Sequence, residues 1–229
     1  KGYRALGISL LEANLRETID KYDIGFVFLS DEAFGQDRKQ AYEFAALMRK
    51  LDLLWGAGGV RCNSITRDEI KFYADNNCFA LKFGVESGSQ KMLYVMEKKF
   101  EVRDVEQALK WCAEFKLYSP LAMLLGMPGE TDETIVETSK FIAKLCYDIG
   151  KEPFTIFGED MSYAIPFPGT PLYEYGQQLG VIGTSVDDEE SFLEGLYTAP
   201  TIKMSYVNLS GSEAIDVLFW DVMMVFLVL

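Results

Sequence analysis

The sequence predicts an α/β fold in which parallel strands alternate with helices. Short apolar runs recur along the 229 residues, and the segments between them place apolar residues at helical spacing. The apolar runs show little alternation of polar and apolar residues, which is typical of strands covered on both faces. Strands that alternate with helices form parallel βα units, so the candidate architectures are a doubly wound sheet and a full or partial barrel.

The first half of the chain alternates regularly. Helix 10–22 places Leu11, Leu15 and Ile19 on one face, and the apolar run 24–29 after it predicts a buried strand. Helix 37–51 follows, and then an apolar, glycine-rich strand at 53–60. The remaining elements up to residue 115 are helix 67–76, strand 79–85 and helices 89–96 and 102–115.

The second half continues this pattern to Gly180. Strand 119–125 precedes helix 131–145, whose acidic first turn suits the helix dipole. A strand at 155–165 precedes a helix at 171–179 that proline opens. We therefore predict a core over residues 1–180 and a C-terminal extension over 181–229. The apolar segment 217–229 is too short to span a bilayer, so it is interpreted as a core helix or strand, or as the end of a longer domain.

Composition excludes several classes of function. The net charge is −13 and no run of Lys or Arg forms a basic stripe, which argues against nucleic-acid and anionic-membrane partners. The chain has no histidine, so Ser–His–Asp hydrolysis and histidine-ligated metals are excluded. The four cysteines form no CxxC pair, and they are interpreted as buried thiols of a cytoplasmic protein. No signal peptide is visible at the start of the sequence.

In parallel βα folds, ligands bind at the carboxyl ends of the strands. The first strand ends in Ser30, Asp31 and Glu32, and two carboxylates there could bind an ammonium group or a metal ion. The alternative is a solvated loop or a helix cap, since acidic residues are usually exposed. The third strand continues into Gly84–Ser89, where Glu86 could accept ribose hydroxyls or pair with an α-amino group. The alternative is a glycine-rich turn that leads to a helix cap.

Two further strand ends are rich in glycine and proline. Residues 126–131, Gly-Met-Pro-Gly-Glu-Thr, would expose backbone groups to a flat ligand such as adenine, or would simply form a turn and a helix start. Residues 166–171 could form one wall of an adenine pocket, although alone they are only a proline-rich turn.

Together these strand ends resemble the radical SAM superfamily, in the branch of its methylthiotransferase-like, coproporphyrinogen-oxidase-like and cobalamin-binding members. The resemblance covers about residues 10–180. It rests on the order of the acidic pair, GVESGS (84–89), GMPGET (126–131) and PFPGTPLYE (166–174).

The resemblance implies an open, three-quarter TIM-like barrel and an S-adenosylmethionine (SAM) site. Asp31 and Glu32 would lie near the methionine amino group, and Glu86 with Ser87 would bind the ribose or the methionine moiety. Adenine would rest on 126–129. The full set of implied cofactor-binding residues is Asp31, Glu32, Arg61, Asn63, Gly84, Glu86, Ser87, Gly126, Met127, Pro128, Gly129, Ile165 and Pro166.

The chain departs from the family in one respect, because it lacks the CxxxCxxC loop whose thiolates hold a [4Fe–4S] cluster. We expect that loop, and the first barrel strand, to lie upstream of Lys1, so that the chain alone is inactive. The full-length protein would then be an oxidoreductase or a transferase. The sheet edge left by a missing strand predicts self-association.

The resemblance also implies partners. These are a small-molecule or protein substrate, an electron donor such as a flavodoxin or ferredoxin, and a cobalamin-binding domain upstream. Two alternatives stay open: a cluster-free barrel that binds SAM, a nucleotide or a protein, and an unrelated aldolase-style barrel that uses Lys82.

Overall fold

The computed structural model describes residues 6–31, 33–157, 161–198 and 206–229. Helices and strands follow one another through this part of the chain. In order they are α1 (Ile8–Tyr22), β1 (Phe26–Leu29), α2 (Arg38–Lys50), β2 (Leu54–Val60), α3 (Arg67–Asp75), β3 (Cys78–Glu86), α4 (Gln90–Val95), α5 (Val102–Glu114), β4 (Leu121–Leu125), α6 (Asp132–Ile149), α7 (Phe154–Phe157), β5 (Met161–Tyr163), α8 (Pro171–Gln178), α9 (Val186–Thr198) and α10 (Ala214–Val228).

The chain divides into two compact units. The first unit comprises Lys1–Val85, Val102–Leu121 and Ile149–Lys151, and the second comprises Glu86–Glu101, Ala122–Asp148 and Glu152–Leu229. In the first unit the strand order is β1-β2-β3, with Phe26 opposite Leu54 and Trp55 opposite Cys78. In the second unit β4 pairs with β5. All of these pairs are parallel, which confirms the predicted α/β class.

An aromatic cluster forms the core of the first unit. Trp55 on β2 is fully buried, and its ring lies 5.1 Å from that of Phe44, 5.7 Å from that of Phe34 and 5.7 Å from that of Tyr73, between ring centroids. Helix α3, which carries Tyr73, begins at a capping box in which Thr66 and Glu69 satisfy each other's backbone N–H groups. The ring contacts hold α2 and α3 against β2, and the cap stabilises the start of α3.

Helix α6 and the C-terminal helix contribute to the core of the second unit. The buried residues of α6 include Ile135, Ile142 and Leu145. On α10, Trp220 is 1% exposed and its indole N–H donates to Asp132 Oδ1 at 2.6 Å. The segment 217–229 was predicted as a helix or a strand, and all of it except Leu229 lies in helix α10. Among the described residues, no helix combines the length and the apolar character needed to cross a membrane.

One strand prediction is wrong at its start. Residues 154–157, which overlap the start of the predicted strand 155–165, form the single-turn helix α7, and β5 spans Met161–Tyr163. The Thr155 hydroxyl and the Thr155 N–H both donate to the Glu152 carbonyl, so local hydrogen bonds compete with strand pairing. A short apolar run does not distinguish these outcomes. The proposed boundary at residue 180 between core and extension stays a prediction.

Candidate functional site

In the first unit, Asp31 follows β1 and lies beside a cavity of about 200 Å³. The cavity is lined mainly by apolar side chains, among them Leu29 and Phe34, together with Asp37. Asp37 is already used as the N-cap of α2, because its carboxylate accepts the Gln40 N–H at 3.1 Å. Glu32, the second member of the predicted acidic pair, lies outside the described residues.

Arg61 and Asn63 follow the carboxyl end of β2, and both are exposed. The strands β1 and β2 are parallel, so Asp31, Arg61 and Asn63 belong to the same edge of this unit's sheet. Gly84 lies inside β3 and is half-buried. Lys82, the residue of the aldolase alternative, also lies within β3 rather than at its end.

Glu86 is the last residue of β3, and its backbone is left-handed, with φ of 71°. Its Oε1 atom lies 3.1 Å from Lys98 Nζ, and both side chains are about a quarter exposed (23% and 24%). The Glu86 carboxylate is therefore partly shielded from solvent and faces the Lys98 ammonium group on one side. The rest of it remains open to solvent. Such a group can accept hydrogen bonds from a ligand's hydroxyl or ammonium group.

Ser87, by contrast, points into the second unit. It is 1% exposed, and its Oγ atom lies 3.0 Å from Thr138 Oγ1 on α6. Thr138 Oγ1 also accepts the Gly88 N–H at 3.1 Å, and the Ser89 hydroxyl donates to Glu137. The residues Glu137 and Thr138 were not predicted from the sequence. Their signal there is the group of polar residues Thr134, Thr138 and Ser139 on the buried side of a helix whose other buried residues are apolar.

The loop 126–130 is held by a carboxylate inside it. Glu130 is 1% exposed, and it accepts the Gly126 N–H at 2.6 Å and the Met127 N–H at 3.3 Å. Burial raises the pKa of Glu130 to about 7, although the two N–H groups act in the opposite direction. Sequence reasoning took Glu130 for a helix start and missed this role. Met127 and Pro128 are half-buried in the same loop, and Lys91 on α4 donates to the Gly129 carbonyl at 3.1 Å.

The segment 206–212 supports the same loop from its other side. A Cβ atom on Gly126 would lie 2.4–2.8 Å from the ring and hydroxyl of Tyr206, so only glycine fits there. The Gly129 N–H donates to the Ser210 carbonyl at 2.9 Å, and the Ser212 hydroxyl donates to the Glu130 carbonyl at 3.1 Å. A Cβ on Gly129 would meet nothing within 4 Å, so this face of the loop is open.

The last predicted strand end also lies in the second unit. Ile165 and Pro166 follow β5; Ile165 is half-buried and Pro166 is buried. The described bonds thus connect residues 87–89 to α6, and α4 to the loop 126–130, within one unit.

The described cysteines do not fit an iron–sulfur cluster. All four are buried thiols outside any disulfide, and no group of three or more acidic, cysteine or histidine side chains that could hold a metal occurs among the described residues. Cluster ligands are thiolates. Burial raises the pKa of Cys112 to about 12 and that of Cys146 to about 11, so these thiols stay protonated.

Comparisons with known proteins agree with the arrangement of strand ends. A model of the radical SAM superfamily matches residues 2–142, more than half of the chain. An uncharacterized methyltransferase of Pyrococcus horikoshii is 31% identical over 157 residues, which is 68% of this chain and 32% of that protein. The anaerobic magnesium-protoporphyrin IX monomethyl ester cyclase of Cereibacter sphaeroides is 24% identical over 180 residues, 76% of this chain and 28% of the cyclase.

Solved structures show the same fold at low sequence identity. The apo form of OxsB, a cobalamin-dependent S-adenosylmethionine radical enzyme, gives a TM-score of 0.68 at 14% identity over 99% of this chain and 37% of OxsB. The methyltransferase TsrM from Kitasatospora setae, solved with tryptophan and a SAM analogue, gives 0.59 at 15% identity over 78% of this chain and 34% of TsrM. The chain thus spans about a third of the length of the relatives it matches.

Proposed function

Because the chain belongs to the radical SAM superfamily, we propose that it forms the SAM-binding part of an enzyme that cleaves SAM reductively to a 5′-deoxyadenosyl radical. The fold is the partial, TIM-like barrel of that family. The [4Fe–4S] cluster does not fit the cysteines described, so we assign it to a part of the protein outside this chain. Because the family model matches residues 2–142, the alternative of an unrelated aldolase-style barrel that uses Lys82 is no longer needed.

The observation that carries the proposal is the position of Glu86. A partly exposed carboxylate stands at the end of β3, in a unit whose second glycine-rich loop presents an open face at Gly129. A carboxylate can bind the ribose hydroxyls or the α-amino group of SAM, and the half-buried Met127 and Pro128 provide an apolar surface for adenine. When bound, SAM supplies the 5′-deoxyadenosyl group of the reaction.

The remaining cofactors and partners are parts of the same proposal. The likeness to OxsB supports a cobalamin-binding domain elsewhere in the protein. Reductive cleavage needs an electron, for which a flavodoxin or a ferredoxin is the proposed donor. The substrate is a small molecule or a protein. Four cysteines that remain thiols outside any disulfide suit a reducing compartment, so we propose a cytoplasmic location. The alternative of a cluster-free binding module is not favoured by the named relatives, which are enzymes.

Calorimetric titration with SAM tests the proposal, on the chain and on the full-length protein. Glu86→Ala should weaken SAM binding by about 1.5–3 kcal/mol, roughly 10- to 150-fold, because a charge-assisted contact is lost. Glu97→Ala is the matched control: Glu97 is exposed, belongs to the same unit and also has a positive φ, of 51°. If Glu86→Ala binds SAM with wild-type affinity, Glu86 is not part of the SAM site.

A further inference from the structure

The backbone of Glu86 requires external support. Its φ of 71° lies in the left-handed region, which is unfavourable for a residue with a Cβ atom. Residues in this region persist only where the surrounding structure holds them. Its known side-chain contact, the ion pair with Lys98, restrains the carboxylate but not the backbone. Glu86 ends β3, and the turn that follows it is a source of that restraint.

That turn rests on helix α6. Ser87, Gly88 and Ser89 come directly after Glu86, and all three make hydrogen bonds to two consecutive helical residues. Thr138 takes two of these bonds through one hydroxyl, at 3.0 and 3.1 Å, and its own side chain is buried, with 2% exposure. Glu137 takes the third, from the Ser89 hydroxyl.

Packing restricts the turn further. A Cβ on Gly88 would lie 2.7 Å from Phe141 Cδ1 and 3.0 Å from the Cα of Thr138. The backbone of the turn therefore lies directly on the helix, with no space for a side chain between them. Gly88 is needed for this close approach to α6.

We infer that Thr138 is a positioning residue for Glu86: its hydroxyl fixes the turn 87–88 on α6, and the fixed turn holds the Glu86 carboxylate where SAM binds. The inference rests on the proposed function. It adds a residue of a helix interior, 52 positions further along the chain, to a site otherwise built from strand ends.

The hydroxyl chemistry gives two contrasting variants. Thr138→Val keeps the shape of the side chain but leaves the Gly88 N–H and the Ser87 hydroxyl without their buried partner. Thr138→Ser keeps the hydroxyl and loses only a methyl group. Lys140→Ala, an exposed change on the same helix, is the matched control.

The experiment measures the SAM dissociation constant of the full-length protein in a double-mutant cycle. Thr138→Val should weaken SAM binding about tenfold, Thr138→Ser less than about threefold, and Lys140→Ala not at all. In the Glu86→Ala background, Thr138→Val should cause no further loss, because the group that it positions is gone. Amide hydrogen exchange at Gly88 should be faster in Thr138→Val, since that N–H loses its acceptor.

Equal losses from Thr138→Val with and without Glu86 would overturn the inference and make Thr138 a purely structural residue. Unchanged SAM affinity in Glu86→Ala would instead reject the proposed function of Glu86, and the inference with it. If Thr138→Val does not fold, Glu137→Ala replaces it, because Glu137 is exposed and holds Ser89 of the same turn. A smaller loss of SAM affinity, again absent without Glu86, is then expected; an additive loss would count against the inference.

Discussion

Glu130 is an acid whose buried position should make stability depend on pH. Its pKa is raised to about 7 from an ordinary 4.5, chiefly because burial disfavours the charged form. Between these values the folded protein keeps a proton that the unfolded chain releases. Raising the pH through this window therefore lowers the free energy of unfolding, by up to about 3 kcal/mol.

Urea unfolding at about pH 5 and about pH 8 measures this effect. Relative to Glu130→Gln, which does not titrate, the wild type should lose stability as the pH rises through that window. Glu133→Gln is the control, because Glu133 is exposed and hydrogen bonds, first of all that from Thr131, lower its pKa instead. Parallel pH profiles for the wild type and Glu130→Gln would show that Glu130 is ionised over the whole range.

At the scale of helices and strands, the contact between Gly88 and α6 can be tested apart from ligand binding. Gly88→Ala should lower the free energy of unfolding by about 1–3 kcal/mol, because the new Cβ would overlap Phe141 and the backbone at Thr138. Gly195→Ala should instead raise stability by about 0.5–1 kcal/mol, since Gly195 lies inside α9 and a Cβ there meets nothing within 4 Å. Equal effects of the two changes in urea unfolding would contradict the close approach.

The same scale shows what the sequence could and could not predict. Apolar runs and helical spacing located β1 to β4 and the helices between them, because burial dictates those patterns. The apolar run 155–165 was predicted as one strand, but its first residues form a helical turn. The hydrogen bonds of Thr155 that favour this turn leave no trace in the spacing of apolar residues. Strand-end glycines and Glu86 were recognised as a candidate site. The supports at Thr138 and Tyr206 were not, because they depend on contacts across about 50 and 80 positions of sequence.

Across the whole molecule, a net charge of −13 is combined with exposed apolar side chains in the first unit. Four of these side chains are each about half exposed: Phe26, Phe28, Leu54 and Phe79. The ring centroids of Phe26 and Phe79 lie 6.5 Å apart, in an edge-to-face arrangement. An exposed apolar patch favours association, whereas the charge opposes it. The self-association expected from the sequence therefore stays a prediction, and its outcome depends on ionic strength.

The 229 residues as a whole should not assemble an iron–sulfur cluster by themselves. Anaerobic addition of iron and sulfide to this chain should produce no stoichiometric cluster, because each of the four cysteines is buried and burial raises the pKa of Cys78, Cys112 and Cys146. The full-length protein, if it carries the cluster cysteines outside these residues, should bind about four irons and show iron–sulfide absorbance. Cys112→Ala should leave any iron bound to the chain unchanged. Four irons per chain, lost in Cys112→Ala, would mean that the described cysteines rearrange to hold the cluster, and the assignment of its ligands to another part of the protein would then be wrong.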